Sequence, residues 1–380
     1  MKIALIGQDL VGQGVQFATA MMARAFSAHG YEVEIVVSKV HTDLVASGQK
    51  AFDVPHDVRW VFMPSRRSSR NWYFLRRYLK TSGVDVVIAE TRHYAAVLAF
   101  ASFGLSSIPK LYQVEHINVP QLPLKSFHRF KVLLQQYLLY RRFSGIMTVN
   151  DESRRRLLDR TRWVGKRLRI KTVYNAVVDD DFIEKRACPS THPWLIEKQY
   201  PVFVAAGALH ECKGYMDLLA AMKQVNKSHH VRLVVFGRGE QERQLLEYVK
   251  ENNLQDVVSI AGYADNLPAE LKSADGFISA SKAESFSIVI AQALALGVPC
   301  ISTDAPLGPR EVLGNGRYGR LVPVGDIDAL AQAICDYVEN PPDKPSPESW
   351  ERFTIFNVLR NYLDAMGVLV DSGYKLQGVK

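Results

Sequence analysis

Short apolar runs alternate with helical periods along this chain, and past its midpoint the alternation begins again. Lys2-Ile-Ala-Leu-Ile-Gly7 is an apolar run ending in glycine, the pattern of a buried parallel strand. Phe17 to His29 has helical periodicity and stops at Gly30, a C-cap signal. Glu32–Val37, Val84–Ala89, Lys110–Glu115 and Ser144–Val149 read as further strands, and Asp151–Arg160 as a helix. The restart brings strands at Val202–Ala206, Val231–Phe236, Val257–Ile260, Gly276–Ser279, Val298–Ile301 and Gly319–Val322. Helices fall between them at Tyr215–Val225 and Gln241–Asn252. Repeated β-α-β units take right-handed crossovers, so each series predicts a parallel sheet. The fold class is therefore α/β, with two Rossmann-like, doubly wound domains over residues 1–180 and 195–345. The join falls in Val177–Pro201, and 346–380 reads as a helical tail crossing back toward the first domain. Ligands of such sheets bind at the carboxyl ends of the strands, which predicts a site in an interdomain cleft.

Composition removes several function classes. With 47% apolar and 23% charged residues, the chain is neither disordered nor fibrous. Its four cysteines lie far apart with no C-x-x-C, which argues against a zinc site or a disulfide framework and for a reducing cytosol. Gln8 and Asp9 cut the first apolar run too short for a signal peptide. The longest apolar run, Tyr94 to Leu105, is too short to span a bilayer and reads as a buried helix. Charge is uneven. Residues 1–180 hold 27 basic and 14 acidic side chains, a net +13, whereas the remainder is net −5. Such asymmetry points to an anionic partner for the first half, or to solvated helix faces.

The second half carries an ordered series of motifs. They are Gly207-Ala-Leu-His-Glu-Cys-Lys-Gly214, Val234-Val-Phe-Gly-Arg-Gly239, Ala261-Gly-Tyr263 and Ala274-Asp-Gly-Phe-Ile-Ser-Ala-Ser281. Glu284-Ser-Phe-Ser-Ile-Val-Ile-Ala-Gln292, Ala293-Leu-Ala-Leu-Gly-Val-Pro299, Gly308-Pro-Arg-Glu311 and Gly319-Arg-Leu-Val-Pro323 follow. In this order the series resembles the retaining family-4 glycosyltransferases of the GT-B fold. The first half matches more loosely, through Glu115-His-Ile-Asn118, Thr148-Val-Asn150 and Tyr174-Asn-Ala-Val-Val178.

The resemblance implies a nucleotide-sugar donor, and the chemistry accounts for the residue types. A leaving diphosphate gains charge in the transition state and needs preorganised donors. Lys213 stands after a strand and before a helix, where its ammonium reaches a phosphate. The backbone after Phe286 opens another helix, and helix N-termini bind anions. The resemblance puts Ser287, Ile288 and Val289 at that diphosphate, and gives Glu284 to the hydroxyls of the donor sugar. Without the surrounding motif, Glu284 reads as a first-turn helix acid. Two positions depart from the family. Gln292 replaces the usual glutamate at the ribose, and Ala208 replaces an arginine, leaving Arg238 as a substitute cation.

In the first half, Gly12-Gln-Gly14 lacks the G-x-G-x-x-G fingerprint, and a tight strand-to-helix turn accounts for it. By resemblance, Gly14 allows close backbone approach to the donor and His116 contacts the donor sugar. Glu90, Arg92 and His93 follow a strand end and are candidates for the acceptor side. The Asp179-Asp-Asp181 run reads as a solvated turn and not as a metal-binding D-x-D. No metal or other cofactor is expected.

Two basic stretches, Pro64–Lys80 and Leu122–Phe143, interleave arginine and lysine with aromatics. They suit an anionic bilayer, single-stranded nucleic acid, or a core-facing stripe with a solvated basic face. The resemblance favours the bilayer and no nucleic acid. The resulting reading is a retaining glycosyltransferase that moves a sugar, from a UDP-sugar, to a glycan or lipid-linked acceptor. It would work in cell-surface polysaccharide assembly, in the cytoplasm at the inner face of the cytoplasmic membrane. The rivals are a non-catalytic glycan- or partner-binding relative, a nucleotide-sugar epimerase of the same fold, and a nucleic-acid-binding protein.

Overall fold

The computed structural model describes residues 1–12, 14–47, 51–116, 140–161 and 169–368. The chain forms two units: Met1–Ala176 with the segment from Ile355 on, and Val177–Thr354.

In the first unit the strands are β1 (Lys2–Ile6), β2 (Glu32–Val37), β3 (Arg59–Phe62), β4 (Val86–Ala89), β5 (Lys110–Glu115), β6 (Gly145–Thr148) and β7 (Arg169–Thr172). They pair in the order β3-β2-β1-β4-β5-β6-β7, and every pairing is parallel. β4 and β6 are buried along their whole length. A strand covered on both faces wants such continuous runs of branched apolar residues. In the register, Ile6 stands beside Val36 on one side and Ala89 on the other, so β1 and β4 end level and β2 runs one residue further. The helix Ile355–Met366 packs in this unit. Its Tyr362 ring meets Phe26 of the Val15–Ala28 helix edge-on, and Tyr112 of β5 donates to the Met366 carbonyl at 3.0 Å.

In the second unit the strands are β8 (Val202–Ala206), β9 (Arg232–Phe236), β10 (Val258–Gly262), β11 (Gly276–Ser279), β12 (Cys300–Thr303) and β13 (Arg320–Val322). Their order is β10-β9-β8-β11-β12-β13, again parallel throughout. Leu218, Leu219 and Met222 of the Tyr215–Val225 helix pack with Leu233 and Val235 on one side of this sheet.

The strands expected from apolar runs are present, with ends moved by a residue or two. Two strands, β3 and β7, have no counterpart in the sequence reading. The acidic run is also different from expectation. It is a helix start and not a turn: the Asp179 side chain accepts from Phe182 N at 2.9 Å, and Asp181 pairs with Lys185 one turn on.

Candidate functional site

In both sheets the strand order reverses once, between β1 and β4 and between β8 and β11. At such a reversal the loops leave in opposite directions and open a crevice at the carboxyl ends.

In the second unit this crevice holds an ion pair. The loop after β8 carries Lys213, in a 3-10 turn that stops at Gly214. The loop after β11 carries Glu284. The Lys213 ammonium and the Glu284 carboxylate are bonded to each other, with side chains 26% and 18% exposed, so both remain within reach of a ligand. Tyr215 lies beneath them. Burial first, and the Glu284 charge second, push its phenol well above the ordinary value.

Backbone geometry is tight around this pair. Gly214 has φ 68°, and a Cβ there would collide with the Ala280 carbonyl, so no other residue fits without movement. A Cβ on Gly308 would lie 2.6 Å from the Phe286 backbone. Gly308 N donates to the Glu284 carbonyl at 3.0 Å, which ties the two loops together. Ser287 and Leu307 are both held at positive φ, 71° and 88°. Such residues cost about 1–3 kcal/mol each and cluster at ligand sites. Ser287 is the N-cap of the Ile288–Ala295 helix, yet its side chain makes no capping hydrogen bond. The first-turn N–H groups are therefore offered to whatever binds. The Phe286 ring is buried edge-on against Phe353, so only its backbone belongs to the site. Gln292 is buried further along the same helix as Ile288 and Val289. Arg238 is exposed at the end of β9, in the turn whose carbonyl accepts from Leu209 N at 2.9 Å.

In the first unit, Gly14 takes the N-cap position of the Val15–Ala28 helix at φ 68°. A Cβ there would meet nothing within 4 Å, so its glycine serves the turn and not a close approach within the chain. His116 directly follows β5 and is buried, its Nε2 2.9 Å from Glu90 Oε2. Arg92 is turned to Glu115, at 2.5 Å. The contact between Glu90 and His116 was not legible in the sequence, because it joins the ends of two different strands. Among the described residues no group of three His, Cys, Asp or Glu side chains is arranged to hold a metal ion.

Each basic stretch is partly structural. Arg76 donates to the carbonyls of Ala101 and Phe103 at 2.9 and 2.7 Å, and Arg142 to that of Ser102 at 2.6 Å, so both cap the Arg92–Ser102 helix. That helix is not wholly buried, as its apolar run implied. Phe100 and Phe103 are 65% and 73% exposed, beside exposed Trp72 and Tyr73. Their spacing of three, off the stripe of Tyr94, Leu98 and Ala101, is the signal that marks this outer face. Of the second stretch, 122–139 lies outside the described residues. Among the described residues no helix is long and apolar enough to cross a membrane.

Comparison with known proteins bears on both units. Residues 200–340 match the family of glycosyl transferases group 1, and residues 12–181 match glycosyltransferase family 4. An uncharacterized glycosyltransferase of Methanocaldococcus jannaschii is 29% identical over 270 residues, covering 67% of this chain and 63% of that one. The N-acetylgalactosamine-N,N'-diacetylbacillosaminyl-diphospho-undecaprenol 4-alpha-N-acetylgalactosaminyltransferase of Campylobacter jejuni is 28% identical over 137 residues, covering 36% of this chain and 37% of that one. The chain thus spans less than two thirds of either relative. Among solved structures, Anabaena HepE in complex with UDP aligns with a TM-score of 0.75 at 18% identity, over 97% of this chain and 100% of that one. Two α/β units, each with one parallel sheet, and two family matches that together take in most of the sequence place the chain among the family-4, group-1 glycosyltransferases of the GT-B fold.

Proposed function

We propose that this protein transfers a sugar from a UDP-sugar to a glycan or lipid-linked glycan acceptor, with retention at the anomeric carbon. The observation that carries this reading is the Lys213–Glu284 pair, set beside the uncapped start of the Ile288–Ala295 helix. Lys213 and the N–H groups of Ser287, Ile288 and Val289 are donors, suited to a diphosphate. Glu284 is an acceptor, suited to sugar hydroxyls. When donor binds, the ammonium exchanges one anion for another and the carboxylate is released to the sugar. In the transfer itself the acceptor oxygen bonds to the anomeric carbon on the face from which the phosphate leaves. The departing phosphate oxygen takes the acceptor's proton, so no nucleophilic side chain is required. Gln292 is assigned to the ribose, and the phosphate charge is met by chain groups without a metal.

The bound UDP of the Anabaena protein supports a uridine donor. The Campylobacter relative's name supports a lipid-linked acceptor. The test is a thermal-shift screen of UDP, UDP-glucose, UDP-galactose and UDP-N-acetylglucosamine, followed by measurement of UDP release with and without acceptor glycans. A ligand at a hundred times its Kd stabilises by about 2.7 kcal/mol, well within reach of a melt. Acceptor-dependent UDP release supports the reading. Conversion of the donor without any acceptor would favour an epimerase, and binding without turnover a non-catalytic relative.

Attachment to an anionic inner-membrane surface belongs to the same reading. It is supported by the exposed Trp72, Tyr73, Phe100 and Phe103 together with exposed Arg67, Arg70, Arg77 and Lys80. Each basic residue near such a surface contributes about 1 kcal/mol. Sedimentation with phosphatidylglycerol vesicles should carry the protein down at low salt and lose it in Arg67→Ser/Arg70→Ser/Arg77→Ser. No sedimentation at low salt would leave the acceptor soluble.

A further inference from the structure

The proposed chemistry makes no use of Glu90, which sits where the first sheet reverses its strand order. It follows β4 directly and is 2% exposed. Its backbone N–H donates to the Ile6 carbonyl at 2.9 Å, which holds the residue against the end of β1. One carboxylate oxygen, Oε2, lies 2.9 Å from His116 Nε2. The other, Oε1, is buried and has no hydrogen-bond partner.

Other buried glutamates in the chain are treated differently. Glu34 takes Lys2 at 2.7 Å and Arg59 at 3.1 Å on one oxygen, and Tyr78 at 2.5 Å on the other. Glu270 takes Thr191 N and Oγ1 on one oxygen and Ser190 Oγ on the other. Those carboxylates brace the fold, and both oxygens are met. A buried acceptor left unmet destabilises a protein, so a group that persists in that state is explained by function better than by stability. The nearest cation in sequence, Arg92, is bonded to Glu115, which also accepts from Gln113 at 3.1 Å. Tyr362 faces the pair from the returning helix. Burial, and the Glu90 charge after it, push that phenol well above its ordinary value, so it stays neutral.

We propose that Glu90 is a positioning residue for His116. The proposal rests on the reading that His116 meets a hydroxyl of the transferred sugar. A neutral imidazole carries one proton, and a carboxylate only accepts. The 2.9 Å contact therefore puts that proton on Nε2 and leaves the Nδ1 lone pair to receive a hydroxyl proton. Without Glu90 the ring has no fixed tautomer and no fixed orientation. In the other tautomer it presents a donor where the hydroxyl needs an acceptor, and a ring free to turn no longer aims Nδ1 at that hydroxyl.

The experiment uses the full chain carrying ¹⁵N-labelled histidine. Long-range proton–nitrogen correlation spectra show which ring nitrogen is protonated, and His116→Asn identifies the signals. The wild type should show Nε2–H at His116. Glu90→Gln, of equal volume, should show a mixture, because a carboxamide both donates and accepts. In parallel, UDP release from UDP-glucose, UDP-galactose and UDP-N-acetylglucosamine is measured. Glu90→Gln should lower kcat/KM about ten- to hundredfold at unchanged Tm, the effect of losing one well-placed hydrogen bond to a charged group. Adding His116→Asn to Glu90→Gln should cost nothing further. Should Glu90→Gln keep the wild-type tautomer, or wild-type turnover while His116→Asn is impaired, the positioning role is overturned and the reading of His116 survives. If His116→Asn turns over normally, the reading of His116 falls, and the proposal with it. A wild type carrying Nδ1–H overturns the proposal whether or not any of these sugars is turned over.

Discussion

The two sheets reverse strand order in the same way, yet they furnish their carboxyl edges by different means. The second sets one side-chain pair, Lys213 with Glu284, in an edge otherwise built from backbone. Gly214 and Gly308 let chain segments touch, Ser287 and Leu307 are held at positive φ, and one short helix offers its uncapped start. The first builds its edge from side chains, Glu90 with His116 and Arg92 with Glu115. Backbone donors suit a ligand part that never changes, such as a diphosphate. On the proposed reading, side chains on both edges, Glu284 and His116, meet the sugar, the part that differs between donors.

The widest gap between the two edges should appear in turnover. On the proposed reading, Lys213→Ala and Glu284→Ala should each reduce kcat for UDP release by about 10²–10³, the loss expected when one transition-state contact is removed. Both side chains are partly exposed, so the fold should survive, as circular dichroism would show. Wild-type turnover in either variant would remove the second edge from the chemistry.

Stability separates the edges next. Gly308→Ala forces a methyl group against the Phe286 backbone and should destabilise by about 1–3 kcal/mol, the usual cost of overpacking. Gly14→Ala meets open space but must hold φ 68° with ψ −101°, a backbone that costs a residue with a Cβ about 1–3 kcal/mol. Thermal melts of both variants should therefore fall, from contact in one and from backbone strain in the other, and an unchanged melt for Gly308→Ala would mean that the second edge is looser than its contacts suggest.

A smaller effect tests the ribose assignment. Gln292→Glu should tighten UDP binding severalfold, because a charge-assisted hydrogen bond is roughly twice as strong as a neutral one, and Gln292→Ala should weaken it. Calorimetry showing no change in either variant would remove Gln292 from the nucleotide.

The smallest expected effect is one the two units share. Burial lowers the pKa of His41 in the first unit and of His192 in the second, and each Nδ1 accepts a backbone N–H, from Leu10 and from Trp194. Below the ordinary histidine value of 6.5, the unfolded chain takes up a proton that the folded one resists. Stability is thus fully present above that value and declines as pH falls through the lowered folded value. His41→Gln should reduce the acid-side fall in Tm, and an unchanged slope would mean that His41 charges freely in the folded state.

The same contrast explains what could be read from sequence. All six strands of the second sheet announce themselves as apolar runs, and its site residues fall in motifs whose order is informative. The first sheet yields β1, β2, β4, β5 and β6, whereas β3 and β7 are its edges. Arg59-Trp-Val-Phe62 and Arg169-Ile-Lys-Thr172 carry charge and partial exposure, as edge strands do to avoid pairing with other chains, and so lose the apolar signature. Lys213 and Glu284 could be nominated separately from their loops, but their direct bond depends on the reversal between β8 and β11. Glu90 with His116 was further out of reach, since no local pattern joins the end of β4 to the end of β5. The exposed Phe100 and Phe103 were hidden by a run whose apolar content outweighed its periodicity.

The return of the chain to its first unit has a consequence for biosynthesis. Val177–Thr354 is a continuous stretch, able to fold as soon as it leaves the ribosome. The first unit has to wait, because the Ile355–Met366 helix that buries Val358, Leu359, Tyr362 and Leu363 is translated after all of the second. Until then Phe26 and the Tyr112 hydroxyl lack the partners they have in the finished fold. The nascent chain therefore carries a complete set of first-sheet strands with an open apolar seam throughout synthesis of the second unit, the interval in which a chaperone has the most to hold.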